Sequence, residues 1–367
     1  MVASLTVIYM QPTVLFILKN RKYQYGDNPS YTELKSSGLR NSAQFVHDML
    51  VEAGYDSNIV EVVDNNDIDR AMKTYTPSHV VVEALWVVPE KFALLQKLHP
   101  KVKWIVRVHS EVPFLSNEGI AVEWIFDYLR HRNVYVSFNS HRTHSDFVEL
   151  IKSSCHRIDK KKLVYLPNYY PVARSNFVKP QKDRVLDVGC FGAIRPMKNH
   201  VNQAIAAVRY AEENNMMLNF HVNSERLESR GAPHLKNLRA VFANVSPQFK
   251  LIEHGWMEHD DFIDCVRLMD IGLQMSFSET FNIVSADFVS NGVPMVTSDE
   301  VEFVAPVFQA DPTDVTDIVA HMKYALWYKK HLQGNFDMNR WLLQKNVDVA
   351  KKEWLHYLYE EAVYPNG

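Results

Sequence analysis

The chain has 367 residues, 47% of them hydrophobic, with a formal net charge of −3 and a pI near 6.6. That length suggests two domains, and that apolar share excludes a disordered chain. The near-neutral charge balance gives no support to a generally basic nucleic-acid-binding surface.

Strand-like and helix-like segments alternate from the start. Thr13-Val-Leu-Phe-Ile-Leu18 is a short apolar run, read as a buried strand rather than a signal peptide. Residues 41–53 read as a helix with Phe45, Val46, Met49 and Leu50 on one face, closed by Gly54. Strands follow at 58–63, 79–84, 103–109 and 134–138, with helices at 67–75 and 89–98. Asp64 to Asp69 is an acidic cluster that begins a helix and reads as a charged cap region. After Tyr165-Leu-Pro-Asn-Tyr-Tyr-Pro171 and a polar stretch over 174–183, a second alternation begins. Its strands are 185–191, 217–222, 249–254, 270–275 and 294–298, and its helices are 201–214, 260–269 and one ending before Gly292. Two long helical stretches, 314–328 and 336–361, close the chain. Continuous β-branched runs between helices predict parallel sheets covered on both faces, in which ligands bind beyond the carboxyl ends of the strands.

Three cysteines, Cys155, Cys190 and Cys265, form neither a CxxC pair nor a metal-ligand spacing, and read as reduced thiols of a cytoplasmic protein. No apolar run approaches the ~20 residues of a membrane span. Amphipathic helices leave attachment at a membrane surface open. The chain has no G-x-S-x-G, HExxH, Walker loop or GxGxxG, and no DxD pair suited to a metal-bound diphosphate. Metal-independent chemistry is expected, with no metal ligands and no resident cofactor.

The segment Ser276-Phe-Ser-Glu-Thr-Phe-Asn-Ile-Val-Ser-Ala-Asp287 reads as strand end, loop and helix start. Glu279 lies in the loop. The amides of Phe281, Asn282 and Ile283 head the helix, where they and the helix dipole favour an anionic or oxygen-rich ligand. Gly192-Ala-Ile-Arg-Pro-Met-Lys-Asn-His200 follows the first strand of the second alternation. A strand-to-helix loop carrying Gly192, Arg195 and Lys198 suits a diphosphate, with Arg bidentate and Lys a point charge.

Together these segments resemble the retaining GT-B glycosyltransferases, the superfamily of glycogen and sucrose synthases. That family's pattern is S-x-x-E-G-F followed by a second Glu with seven residues between the acids. Glu279 and Asp287 have that spacing, Phe281 matches the aromatic, and Asn291-Gly-Val-Pro294 with Thr297-Ser-Asp299 matches the trailing part. The sequence departs twice, with Thr280 in place of Gly and Asp287 in place of Glu. The resemblance implies that Glu279 and the neighbouring amides hold the donor sugar, Asp287 the ribose, and Arg195 and Lys198 the diphosphate. It covers 185–300 well and the first domain weakly. Glu253 to Phe262, then Met269 to Gly272, resemble the stretch whose loop packs on the nucleobase; Trp256 either stacks on a base or covers the domain edge. Gly38, in Ser36-Ser-Gly-Leu-Arg-Asn-Ser42, is the counterpart of a Gly-rich loop, and His109 of a strand-end His facing the donor sugar. Asn139-Ser140 and Leu166-Pro-Asn168 read as turn and linker chemistry.

The fold implied is α/β GT-B: two Rossmann-like doubly wound domains facing each other across a cleft, at 1–172 for the acceptor and 173–335 for the nucleotide sugar, with helix 336–367 crossing back to the first. The implied reaction moves a sugar, with retention, from a nucleotide-diphosphate sugar to an acceptor. The acceptor class stays open among saccharide, lipid, protein, small molecule and modified nucleic-acid base. A sugar-nucleotide epimerase or hydrolase, or a non-catalytic nucleotide-sugar-binding module, are the alternatives on the same scaffold.

Overall fold

The computed structural model describes residues 11–20, 38–154, 157–173, 179, 184–228 and 230–363. Cys155, Ser36, Ser37 and most of the polar stretch 174–183 lie outside them. The described chain divides into two units: 11–20, 38–169 and 348 onward form the first, and 170–347 the second.

The first unit runs β1 (Thr13–Lys19), α1 (Gly38–Glu52), β2 (Asp56–Val62), α2 (Ile68–Tyr75), β3 (His79–Glu83), α3 (Lys91–Leu98), β4 (Lys103–Val108), α4 (Val112–Leu115), α5 (Ala121–Arg130), β5 (Val134–Phe138), α6 (His141–Lys152) and β6 (Leu163–Tyr165). Its six strands are all parallel, in the order β2-β1-β3-β4-β5-β6. Successive strand residues point to opposite faces, and the core divides accordingly. Leu15, Ile17, Val80, Val82, Trp104 and Val106 pack with Met72, Phe92, Ile125 and Phe147. Val14, Phe16, Leu18, Val81 and Ile105 pack on the other side with Val46, Met49 and Leu50 of α1 and with Trp354 and Leu358.

The second unit runs β7 (Val185–Gly189), α7 (His200–Glu213), β8 (Met217–Asn223), α8 (Gly231–Ala243), β9 (Phe249–His254), α9 (His259–Arg267), β10 (Ile271–Gln274), α10 (Ile283–Ser290), β11 (Met295–Thr297) and α11 (Val315–His331). Its five strands are parallel in the order β11-β10-β7-β8-β9. The order reverses between β7 and β10, which pair through Ile271 with Val188 and Gly272 with Gly189. The crevice at such a reversal, beyond the strands' carboxyl ends, is where doubly wound sheets bind ligands. The final helix α12 (Met338–Val363) begins in the second unit, and its residues from 348 belong to the first.

The structure corrects the sequence reading at several elements. Helices α4, α5, α6 and α8 and the short strand β6 are additions to the elements read from the sequence. Gly38, read as a loop residue, is the first residue of α1. The acidic cluster does begin a helix, but the Asp67 side chain accepts the amides of Val63 and Asp64 before α2 instead of capping α2's own amides. Cys190 is buried and Cys265 half-buried, and both are free thiols. Among the described residues no helix is long and apolar enough to cross a membrane.

Candidate donor site and its fold relatives

Two loops bring the site of the second unit together. The loop after β7 turns at Gly192, whose φ of +105° favours glycine over any residue with a Cβ. Its amide donates to Asn223 Oδ1 at 3.0 Å, at the carboxyl end of β8. Ile194 then bridges to Leu227, and a one-turn 3-10 helix, Pro196–Lys198, leads into α7. The loop after β10 carries Glu279, whose amide donates to Glu300 Oε2 at 3.0 Å. Asn282 caps α10, its Oδ1 accepting from the Ser285 amide at 2.9 Å, while its Nδ2 donates to Gln274 Oε1 at 2.9 Å. The amides of Asn282 and Ile283 head α10, positions that a helix leaves without intrahelical acceptors, and Phe281 lies one residue before the cap. The Phe281 ring rests on Phe303, with centroids 5.1 Å apart.

Lys198 and Glu279, 81 residues apart, are ion-paired. Their side chains are only 11% and 7% exposed. Burial pushes the Glu279 carboxyl upward, but the Lys198 ammonium and the nearby Arg195 outweigh it and hold the group below its ordinary value. The carboxylate therefore stays ionised in the buried pair. Arg195 faces Glu228 at 3.6 Å, and Glu228 in turn holds Arg226 at 2.5 Å. Burial, then the charges of Lys198, His234 and Arg195, push the His200 imidazole at the start of α7 down to about 3, so it adds no charge.

Asp287, the second acid of the pattern, lies in α10 and is 1% exposed. Its Oδ1 accepts from the Tyr170 hydroxyl at 2.8 Å and faces His259 Nε2 at 2.9 Å. The Asp287 carboxylate raises the His259 pKa. Asp287 thus ties α10 to α9 and to the Tyr170 linker segment, an arrangement that no local pattern foretells. Ser290 strengthens that tie, bonding both the amide and the carbonyl of Ala173. Thr280 sits half-buried between Glu279 and Phe281. Trp256, in the loop after β9, is half-buried. The Arg226 guanidinium lies 4.8 Å from its ring centroid, and its amide donates to Glu225.

In the first unit, His109 stands just beyond β4, with its Nε2 against Glu83 and Asn139 Nδ2 at 3.4 Å from its Nδ1. Glu83 is fully buried and is also held by Arg107 Nη1 at 3.3 Å. Arg107 further donates to the carbonyls of Leu166 and Pro167 and to Asn168 Oδ1. Burial lowers the His109 pKa against the pull of Glu83, so the imidazole is neutral at pH 7 and donates from Nε2. Asn139 and Asn168, read from sequence as turn and linker residues, belong to this buried network. Glu83 and Arg107 were missed. A charged residue inside a β-branched strand was the available signal, because buried charges require partners.

Gly231 at the start of α8 was also missed. A Cβ there would stand 2.0 Å from the Ile194 carbonyl oxygen, in the Arg195–Lys198 loop. Gly231→Ala is expected to displace that loop and destabilise the second unit by about 1–3 kcal/mol. Thermal denaturation with limited proteolysis checks this, and an unchanged melting temperature would contradict the close approach.

No protein-family model matches the chain, and no curated protein matches it in sequence. Solved structures do match in shape. A glycosyltransferase from Rickettsia africae ESF-5 is 13% identical, with 98% of this chain and 100% of that one covered at a TM-score of 0.63. Sucrose-phosphate synthase from Thermosynechococcus elongatus is 11% identical, with 96% and 100% covered at 0.66. The E. coli trehalose-6-phosphate structure bound with UDP-2-fluoro glucose is 10% identical, with 94% and 99% covered at 0.66. With two parallel doubly wound units and matches over nearly its whole length, the chain has the GT-B fold of these glycosyltransferase structures.

Proposed function

We propose that the protein is a metal-independent, retaining glycosyltransferase that takes its sugar from a nucleoside-diphosphate sugar. The observation that carries this is the buried Lys198–Glu279 pair, built from the two loops that flank the strand-order reversal. Within the pair each charge satisfies the other. A donor replaces both partners: its diphosphate takes the Lys198 ammonium and the Arg195 guanidinium, and its sugar hydroxyls take the Glu279 carboxylate. The amides heading α10 add a partial positive charge at the same end of the sheet.

The bond from the anomeric carbon to the diphosphate oxygen breaks with its electron pair leaving on the phosphate. Lys198 and Arg195 stabilise that charge electrostatically as it develops. The acceptor oxygen bonds the anomeric carbon from the same face and passes its proton to the departing diphosphate oxygen, with no enzyme nucleophile involved. Asp287, shorter than Glu and engaged by Tyr170 and His259, reaches the ribose only beside these partners. The solved relative holding UDP-2-fluoro glucose supports the class of donor.

Two lysine and arginine charges at the diphosphate make a metal dispensable. Transfer is expected to persist in EDTA within twofold. Complete loss restored by Mg²⁺ or Mn²⁺ would contradict the proposal. Turnover of the donor with and without an acceptor mixture separates transfer from hydrolysis or epimerisation.

A further inference from the structure

The surface of the second unit carries an aromatic and basic ridge far in sequence from the donor loops. Tyr324, Trp327 and His331 recur at helical spacing along the outward face of α11. Tyr324 and Trp327 stack at 5.9 Å, and Trp327 lies against His331 at 5.3 Å. The ridge continues through the elbow after α11, where the Phe336 amide donates to the Leu332 carbonyl at 3.3 Å. Phe336 then meets Trp341 of α12 at 6.4 Å, and the Lys345 ammonium lies 5.8 Å from the Trp341 ring. Trp327, Phe336 and Trp341 are 48%, 52% and 50% exposed, and Leu332 is exposed beside them. Such a run of large apolar side chains in water marks a surface that meets a partner.

The charge on this stretch selects the partner. Between residues 323 and 345 stand Lys323, Lys329, Lys330, Arg340 and Lys345 against the single acid Asp337, in a chain whose net charge is −3. Lys323 is paired with Glu213 at 2.7 Å, and Lys329 and Arg340 donate to the carbonyls of Gly292 and Ala173, so Lys330 and Lys345 carry the charge offered beside the aromatic ridge. A second copy of the same basic ridge would be repelled. A surface of fixed negative charge over an apolar layer suits it. Tryptophan and tyrosine settle at the headgroup level of a bilayer, Leu332 and Phe336 gain by entering its apolar edge, and lysines are drawn to anionic lipid. Leu332 offers nothing to a stacked nucleobase, which argues against single-stranded nucleic acid.

We propose that the α11–α12 elbow docks the protein on a membrane surface rich in anionic phospholipid. This does not depend on the function proposed above, since no residue of the ridge belongs to the donor site. The test is co-sedimentation of the full chain with phosphatidylcholine vesicles, with and without 30 mol% phosphatidylserine as the probe. The wild type should partition at least tenfold better onto the anionic vesicles, and less as salt rises. Trp327→Ser with Trp341→Ser should lose that partition at least tenfold. So should Lys330→Glu with Lys345→Glu, which keeps the aromatic ridge and serves if the tryptophan variant misfolds. Equal sedimentation with both vesicle types, or unchanged binding by both variants, would overturn the proposal. So would an oligomer that either variant dissolves, or tighter binding to oligo(dT) than to the vesicles.

Discussion

Lys198→Ala is expected to lower transfer at least tenfold and to destabilise the second unit. The first effect follows from losing a charge aimed at the leaving diphosphate, where a single electrostatic contact is typically worth that much or more. The second follows because Glu279 would remain buried with its nearest cation gone, a loss on the order of 3–5 kcal/mol. The two effects separate in a double variant. Lys198→Ala with Glu279→Gln removes the stranded charge, so its melting temperature should recover towards wild type while transfer stays low. The pH dependence also has a sign. In the wild type the Glu279 carboxyl is held low, so its contribution is present above the ordinary carboxyl range and is lost as pH falls through the lowered value. Without Lys198, the largest charge opposing burial is gone and the group rises, with Arg195 still holding it back in part. A raised carboxyl costs stability as pH rises, so the single variant should gain on the wild type between pH 8 and pH 5. Melting curves at both pH values check this, and a pH-independent difference would show that Lys198 does not set the charge of Glu279.

Trp354→Ala is expected to unfold the first unit, or nearly so. Trp354 is fully buried against Phe16, donates from its indole to the Pro167 carbonyl at 2.8 Å, and lies under the Arg107 guanidinium at 5.2 Å. Truncating a buried tryptophan costs about 3–5 kcal/mol. Here it also loosens Arg107, on which the buried charge of Glu83 depends. Deleting residues 345–367 goes further, removing Val347, Ala350, Trp354 and Leu358, all buried. Burial of such side chains is worth on the order of 1.5–3 kcal/mol each for the larger ones, and the face of β1, β3 and β4 beneath them would meet water. Both proteins should be poorly soluble and inactive, with fast amide exchange in β1 and β4. A truncated chain that remains soluble and keeps full transfer would show α12 to be an appendage.

What was legible in the sequence was set by which signals are local. The parallel sheets were readable because strands buried on both faces, such as Val80-Val81-Val82, carry unbroken β-branched runs. The two loops that meet at the Lys198–Glu279 pair were readable because a glycine turn, a helix cap and the Gly292 stop lie close in sequence to Arg195, Lys198, Glu279 and Phe281. Helix α5 does carry a helical apolar stripe, with Ala121, Ile125, Tyr128 and Leu129 all buried, and α6 a sparser one in Thr143, Phe147 and Ile151. The pairing of Asp287 with Tyr170 and His259 spans 117 and 28 residues. No local period reports such contacts. The same holds for the Glu83–Arg107–His109 cluster, assembled only when β3 and β4 align side by side. From sequence Trp256 fits either of two roles, and the structure places Arg226 over its ring.

Calorimetric titration of a panel of nucleoside diphosphates and their sugars, against the wild type and Glu279→Ala, tests the central claim most directly. The account predicts saturable binding of at least one nucleotide sugar by the wild type. It also predicts that Glu279→Ala weakens that sugar-bearing ligand at least tenfold more than the matching free diphosphate, since only the sugar meets the carboxylate. A wild-type protein that binds no member of the panel would contradict the account, and so would a variant that loses the sugar nucleotide and the free diphosphate equally.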